Sequence, residues 1–269
     1  MICKKLWKII ILTSLFVLVA GGLWGQATFT WTGADPTSPN AWEEAGNWQV
    51  EGSVPVNAPD TADDVDIPGS LSSYPITPGS SLAIASLTIA NGASLTLGGA
   101  LTVTGAITNT GTIALGGNTL TAASISGGTV TTTSGTITVT GATASTITTL
   151  TATTGVTLNG GSGLTVTTAL TGSPNLTLSG TVTLGGAVGN ITANPGTLTL
   201  NAALTAGTIN NAGTINASGS TFNLTATGAI TNTGTIDIDG NALVADSIAG
   251  VGGTVTTTSG TITVTGATA

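Results

Sequence analysis

The side chains able to do chemistry are few and sit in two places. Eight of the eleven acids fall between Thr28 and Pro75 (Asp35, Glu43, Glu44, Glu51, Asp60, Asp63, Asp64 and Asp66), and the rest are Asp237, Asp239 and Asp246. There is no histidine, and the only cysteine (Cys3) and the only bases (Lys4, Lys5 and Lys8) lie in the first eight residues. Without that end, no Ser-His-Asp triad, cysteine nucleophile, lysine Schiff base or imidazole metal site can be assembled. Carboxylate pairs remain, which are the tools of glycoside hydrolysis, but nothing in their spacing sets two of them across a cleft. No catalytic residue is assigned, and the chain is not expected to be an enzyme.

Carboxylates can also hold a hard cation, which takes several oxygens from a flexible loop. Asp237-Ile238-Asp239-Gly240-Asn241 alternates acids before a glycine turn, and Asp60, Asp63, Asp64 and Asp66 cluster nearer the start. Asp237, Asp239, Asp63 and Asp64 are therefore the calcium candidates, although neither segment completes a recognised calcium loop. With Ile236 and Ile238 facing inward, the simpler expectation is that Asp237 and Asp239 face water. No other cofactor is implied. The same early segment holds Trp31, Trp42 and Trp48. They form either a sugar-stacking face or the closing cap that the open end of a repeat array needs; the cap is the expectation.

Charge restricts the partners. The 269 residues carry a formal charge of −8, and no charged residue occurs from Leu71 through Ile236. Affinity for nucleic acid comes largely from cations neutralising phosphates, and anionic membranes recruit cations too, so neither is an expected partner. Residues 1–27 read as a secretory signal peptide: three lysines, the apolar run Ile9–Ala20, then Gly25-Gln26-Ala27 with small residues at −3 and −1. That run is shorter than the roughly twenty residues that span a bilayer, so no membrane span is expected in the mature chain. The expected location is secreted or at the cell surface.

The remaining residues supply a scaffold. A stretch is written twice: Gly105–Ala144 and Gly228–Ala269 match at an offset of 123 over their first nine residues and 125 over their last eighteen. Between and around them runs a unit of aliphatic-Thr-aliphatic followed by a glycine turn, as in Leu95-Thr96-Leu97, Leu101-Thr102-Val103 and Ile137-Thr138-Val139. Period-two alternation puts aliphatics on one face and threonines on the other. Gaps of about six residues between strand starts leave no room for crossover helices. The composition, with 40 glycines and a mean hydropathy of +0.46, argues for order over disorder. The expected fold is all-β: a parallel, right-handed β-helix over residues 76–269 behind a Trp-rich cap at 28–75, with antiparallel β-sandwich repeats as the alternative. Coils of about twenty residues would make the offset close to six coils.

The nonapeptide Gly105-Ala-Ile107-Thr-Asn109-Thr-Gly111-Thr-Ile113 recurs at Gly207–Ile215 and Gly228–Ile236. This G-x-I-x-N-x-G-x-I pattern resembles the repeats of filamentous-haemagglutinin-like proteins and autotransporter passengers. The resemblance implies a secreted bacterial β-helix, often an adhesin, with extracellular glycans or matrix as partners. The asparagine is expected to be structural, taking a left-handed corner or bonding its own backbone. Autotransporters end in a membrane barrel, whereas Ala269 falls partway through the copied block, so a fragment of a longer protein is expected. Polysaccharide lyases resemble the fold too, but their usual Lys or Arg base is missing. The Thr136-Ile-Thr138-Val-Thr140 and Thr261-Ile-Thr263-Val-Thr265 ranks are similar to the ice-binding faces of β-helical antifreeze proteins, with Thr148–Thr154 and Gly185–Asn190 breaking the pattern. The expected function is that of an exported surface structural or adhesin-like protein, then ice binding, and last a carbohydrate-active enzyme.

Overall fold

A computed structural model describes residues 26–171, 175–217 and 223–266. The expected signal peptide lies almost wholly outside them. Within them the chain is a parallel β-solenoid of about ten turns, and the sandwich alternative is overturned by the pairing. Strand lies on strand in parallel register from Asp64–Ile67 onward, as in Leu87↔Ile107↔Ile125 and Ile215↔Ile236↔Val255. The only helix among the described residues is a single 3₁₀ turn, Ala45–Asn47, and none is long and apolar enough to cross a membrane.

Each coil visits three faces. Face A carries Val65, Leu87, Ile107 and Ile125 in one inward column. Face B carries Leu95, Ile113, Val130 and Leu150, and face C carries Leu101, Leu120, Ile137 and Leu158. Alternation makes this possible, because every second residue can enter one continuous aliphatic core while its neighbours stay outside. Nearly all of these inward side chains are fully buried. Glycines serve the corners in two ways. Gly116 adopts φ +59°, and a Cβ on Gly111 would strike the Ala93 carbonyl of the coil below; only glycine permits the first cheaply and the second at all.

Coil length varies, which revises the coil arithmetic. From Ile107, face A continues through Ile125, Ser145, Leu164, Val182, Leu198 and Ile215. The copied Ile230 comes two faces after Ile215 and stacks on Ile209, in the face C column. The offset is thus six coils and two further faces, and the duplicated block sits one face out of phase with its original.

The asparagines of the nonapeptide are structural, but in extended backbone at strand ends, not in left-handed corners. Asn194 Nδ2 donates to Asn211 Oδ1 at 2.7 Å, Asn211 Nδ2 donates to Asn232 Oδ1 at 2.8 Å, and Asn232 Nδ2 ends the ladder on the Thr254 carbonyl at 2.9 Å. All three are buried.

Candidate functional site

The Trp-rich segment closes the first coil. Thr28–Trp31 pairs in parallel with Asp64–Ile67 on one side, and on the other Trp48–Gln49 covers Thr30 and Trp31 in antiparallel register, which shortens the edge exposed there. Trp48 lies edge-on to both Trp31 (centroids 4.8 Å, 79°) and Trp42 (4.7 Å, 70°), with Phe29 6.3 Å away. Trp31 Nε1 donates to the Ser73 carbonyl and Trp48 Nε1 to that of Trp42, while Trp42 Nε1 has no partner. Asn47 pins the loop around them: its Nδ2 donates to the Ser38 and Ala41 carbonyls and its Oδ1 accepts from the Asp35 amide.

This geometry corrects the sugar-stacking candidates. Trp31, Trp42 and Trp48 are brought together, but at 0–1 % exposure they present no ring face to a ligand. Indole rings each bury a large apolar area and gain further from edge-to-face contact, so they fill the core that the first coil otherwise lacks.

The acids are dispersed by function within the fold. Asp64 Oδ1 accepts from Gln26 Nε2 at 2.9 Å and from Ser86 Oγ, and Asp63 Oδ2 accepts from the Asp60 amide at 2.9 Å. Burial raises the Asp63 carboxyl above the usual range, and it raises Asp66 in the same way. Asp35 moves the other way, lowered first by the Thr37 hydroxyl and then by the Ser38 and Thr37 amides. Asp237 lies outward in the face A sheet between Asn216 and Thr256. Asp239 is a corner residue with φ +44°, and its carbonyl accepts from the Thr258, Ser259 and Gly260 amides and the Thr257 hydroxyl. Its counterpart in the first copy is Gly116, also left-handed. Asp is one of the few side chains that tolerate this conformation, which explains the residue without a metal. Asp237 and Asp239 are both half-buried, with Ile236 and Ile238 inward as expected. Among the described residues, no group of three or more potential ligands could hold a metal ion.

The outward threonines form the largest ordered chemical feature. On face A, Thr30, Asp66, Thr88, Thr108, Ser126, Thr146, Thr165, Thr183, Thr199, Asn216, Asp237 and Thr256 follow one another coil by coil. Adjacent members are separated by the inter-strand spacing of about 4.8 Å. From Thr181 a second file joins it: Thr181, Thr197, Thr214, Thr235 and Thr254. The interruptions at Thr148–Thr154 and Gly185–Asn190 lie on the neighbouring corner and face, with Leu150 on Val130 and Gly186 opposite Leu204, so face A is more regular than the sequence suggests. Shorter ranks occupy face C, as in Thr119–Thr136–Thr157–Thr177. Corner threonines instead tie coils together, for Thr110, Thr140 and Thr265 donate to carbonyls one coil below, those of Ile89, Ala122 and Ala245.

Sequence reasoning missed Asn194. It belongs to a degenerate nonapeptide, Gly189-Asn-Ile191-Thr-Ala-Asn194-Pro-Gly196-Thr-Leu198, which one inserted residue hid from the pattern; the insertion appears as a register shift between Leu176 and Thr177. Compared with protein-family models, with curated proteins and with solved structures, the chain matches none.

Proposed function

We propose that this chain is an exported bacterial β-solenoid of the filamentous-haemagglutinin-like kind. In this reading it acts at the cell surface as a structural and adhesive element and performs no catalysis. The observation that carries the reading is its exterior: files of hydroxyls across successive coils, with no charge in the sequence from Leu71 to Ile236. Such a surface makes many weak, uncharged contacts, which add up when a long array meets a long ligand. Neutral glycans or matrix polysaccharides are the partners this chemistry favours. Expressed with its leader, the chain is expected at the cell surface, where external protease reaches it; retention in the cytoplasm would sink the proposal. No cation is required, so chelation should leave the melting temperature unchanged, whereas a rise on adding calcium would reinstate Asp63 and Asp64 as ligands.

A second reading, ice binding, is favoured by one observation, the run of hydroxyls on face A from Thr88 to Thr199 and its five-coil partner file. It predicts thermal hysteresis that falls when Thr183 and Thr199 are replaced by bulkier side chains. Normal ice growth in the presence of the intact chain would remove this reading.

A further inference from the structure

An open groove of about 450 Å³ runs parallel to the solenoid axis along the edge between faces B and C, from Gly117 to Thr192. It crosses five coils, four inter-strand steps, and so is about 19 Å long. Two register shifts shape it. Between Thr132/Ser134 and Ala152/Gly155 the upper strand carries one extra residue, and between Leu176/Thr177 and Ile191/Ala193 it does so again. Such bulges redirect side chains out of the sheet pattern; here Thr154 and Thr192 line the groove as a result.

Its middle is a gap in a column. Ser134, Gly155 and Asn175 stack on one another, with the two outer residues exposed. Gly155 lies inside the strand Ser145–Asn159, where glycine is unfavourable. The fold does not demand it: φ is not left-handed, and a Cβ there would meet only the Asn175 carbonyl at 3.5 Å, an ordinary contact. Gly135 and Gly117 differ, the first because a Cβ would strike the Asn118 carbonyl at 2.8 Å, the second through φ +97°. Strand glycines mark bulges or close approach by a ligand or another backbone; Gly155 ends the bulge that follows Ala152, and its missing side chain leaves the space between Ser134 and Asn175 open.

We propose that this groove binds an extended, uncharged oligosaccharide lying along the solenoid axis over Gly155. The proposal rests on the adhesive reading above and gives it a site. Thr192 Oγ1 donates to the Leu176 carbonyl and so receives the Thr177 hydroxyl hydrogen, which leaves the Thr177 oxygen as an acceptor towards the groove. Ser134, Thr157 and Asn175 add donors and acceptors without charge. Paired strands wall the groove, so a peptide finds no free edge to extend.

An array of immobilised neutral and acidic oligosaccharides, probed with the intact chain, tests this, followed by titration of the best neutral binder. Gly155→Gln should weaken binding at least tenfold, and Val56→Gln, exposed in the cap and outside every threonine file, should change it less than twofold. Ser134→Gln fills the same gap from an exposed position and decides the matter if Gly155→Gln lowers the melting temperature. Neutral-glycan binding that survives both groove variants overturns the groove and leaves the adhesive reading standing. Binding to acidic glycans alone overturns the groove as well, and no glycan binding at all overturns both.

Discussion

The two copies of the duplicated block carry nearly the same sequence and occupy different faces. Ile107 of the first copy stacks on face A between Leu87 and Ile125, whereas its counterpart Ile230 stacks on face C between Ile209 and Ile248. The shift is consistent: Val130 lies on face B and its counterpart Val255 on face A, while Ile137 lies on face C and Ile262 on face B. The repeat therefore specifies a strand and a corner, and each of its strands is accepted on two different faces. What differs is the neighbourhood. Asn232 joins a ladder because Asn211, one coil below, has the same phase; Asn109 has no asparagine beneath it, and instead donates to the Thr129 carbonyl and accepts from the Gly111 amide. Files of like residues on a face are thus products of register, not of the repeat unit.

Burial offers the strongest way to sharpen this contrast. Ile137 is fully buried between Leu120 and Leu158, while the identical Ile262, in the last described strand, stacks on Leu243 alone and is 42 % exposed. Ile137→Ala should cost about 3 kcal/mol through lost transfer energy and an unfilled cavity, and Ile262→Ala less than about 1 kcal/mol. Urea unfolding of both variants measures the difference; equal losses would mean that the two environments do not differ as described. Next in size is the ladder. Asn211→Ala removes hydrogen bonds to Asn194, Asn232 and the Thr235 carbonyl and leaves buried amide groups unpaired, for about 2–3 kcal/mol. Asn109→Ala should cost about 1 kcal/mol, and a larger loss there would show that phase is not what distinguishes the two.

Much of the architecture is legible from Leu95-Thr96-Leu97 and its kin, because alternation with glycine at short intervals admits few folds. Phase is not legible. The return to face A takes 22 residues from Val65 to Leu87 but 16 from Val182 to Leu198. Corners absorb the difference without changing the strands, so an error of one face builds up over six coils. The face A threonine file is hidden for that reason, since its members share a column only once every coil length is known. The tryptophans are legible as a cap, because a first coil without aliphatic repeats needs another apolar filling. Asp239 is not legible as a corner residue, since its alternation with Asp237 reads as a cation candidate and only the backbone shows that it shares the left-handed conformation of Gly116.

That pair gives a smaller, opposed prediction. Gly116→Asp should destabilise by about 1 kcal/mol, and Asp239→Gly should stabilise by about 0.5 kcal/mol, since only the glycine occupies the left-handed corner without steric cost. Thermal melts of both variants measure the two signs. If Asp239→Gly proves destabilising, the aspartate has a role that the corner does not explain.

The smallest effect concerns the acid placed early in the face A file. Asp66 stands between Thr30 and Thr88, half-buried, with its carboxyl raised above the usual range by burial. A raised folded-state value means that the ionised form is penalised in the folded chain. The penalty is full above that value and disappears as pH falls through it towards the unfolded value of 3.8. Asp66→Asn should therefore stabilise the chain near pH 7 by no more than ~0.5 kcal/mol, given solvent screening at a half-exposed site. The advantage should shrink steadily on acidification and be absent well below the unfolded value of 3.8. Thermal melts of both proteins across that range measure it. An advantage that grows as pH falls would mean that the Asp66 carboxylate gains more from its neighbours than burial costs it, and that the file is built to hold charge at that position.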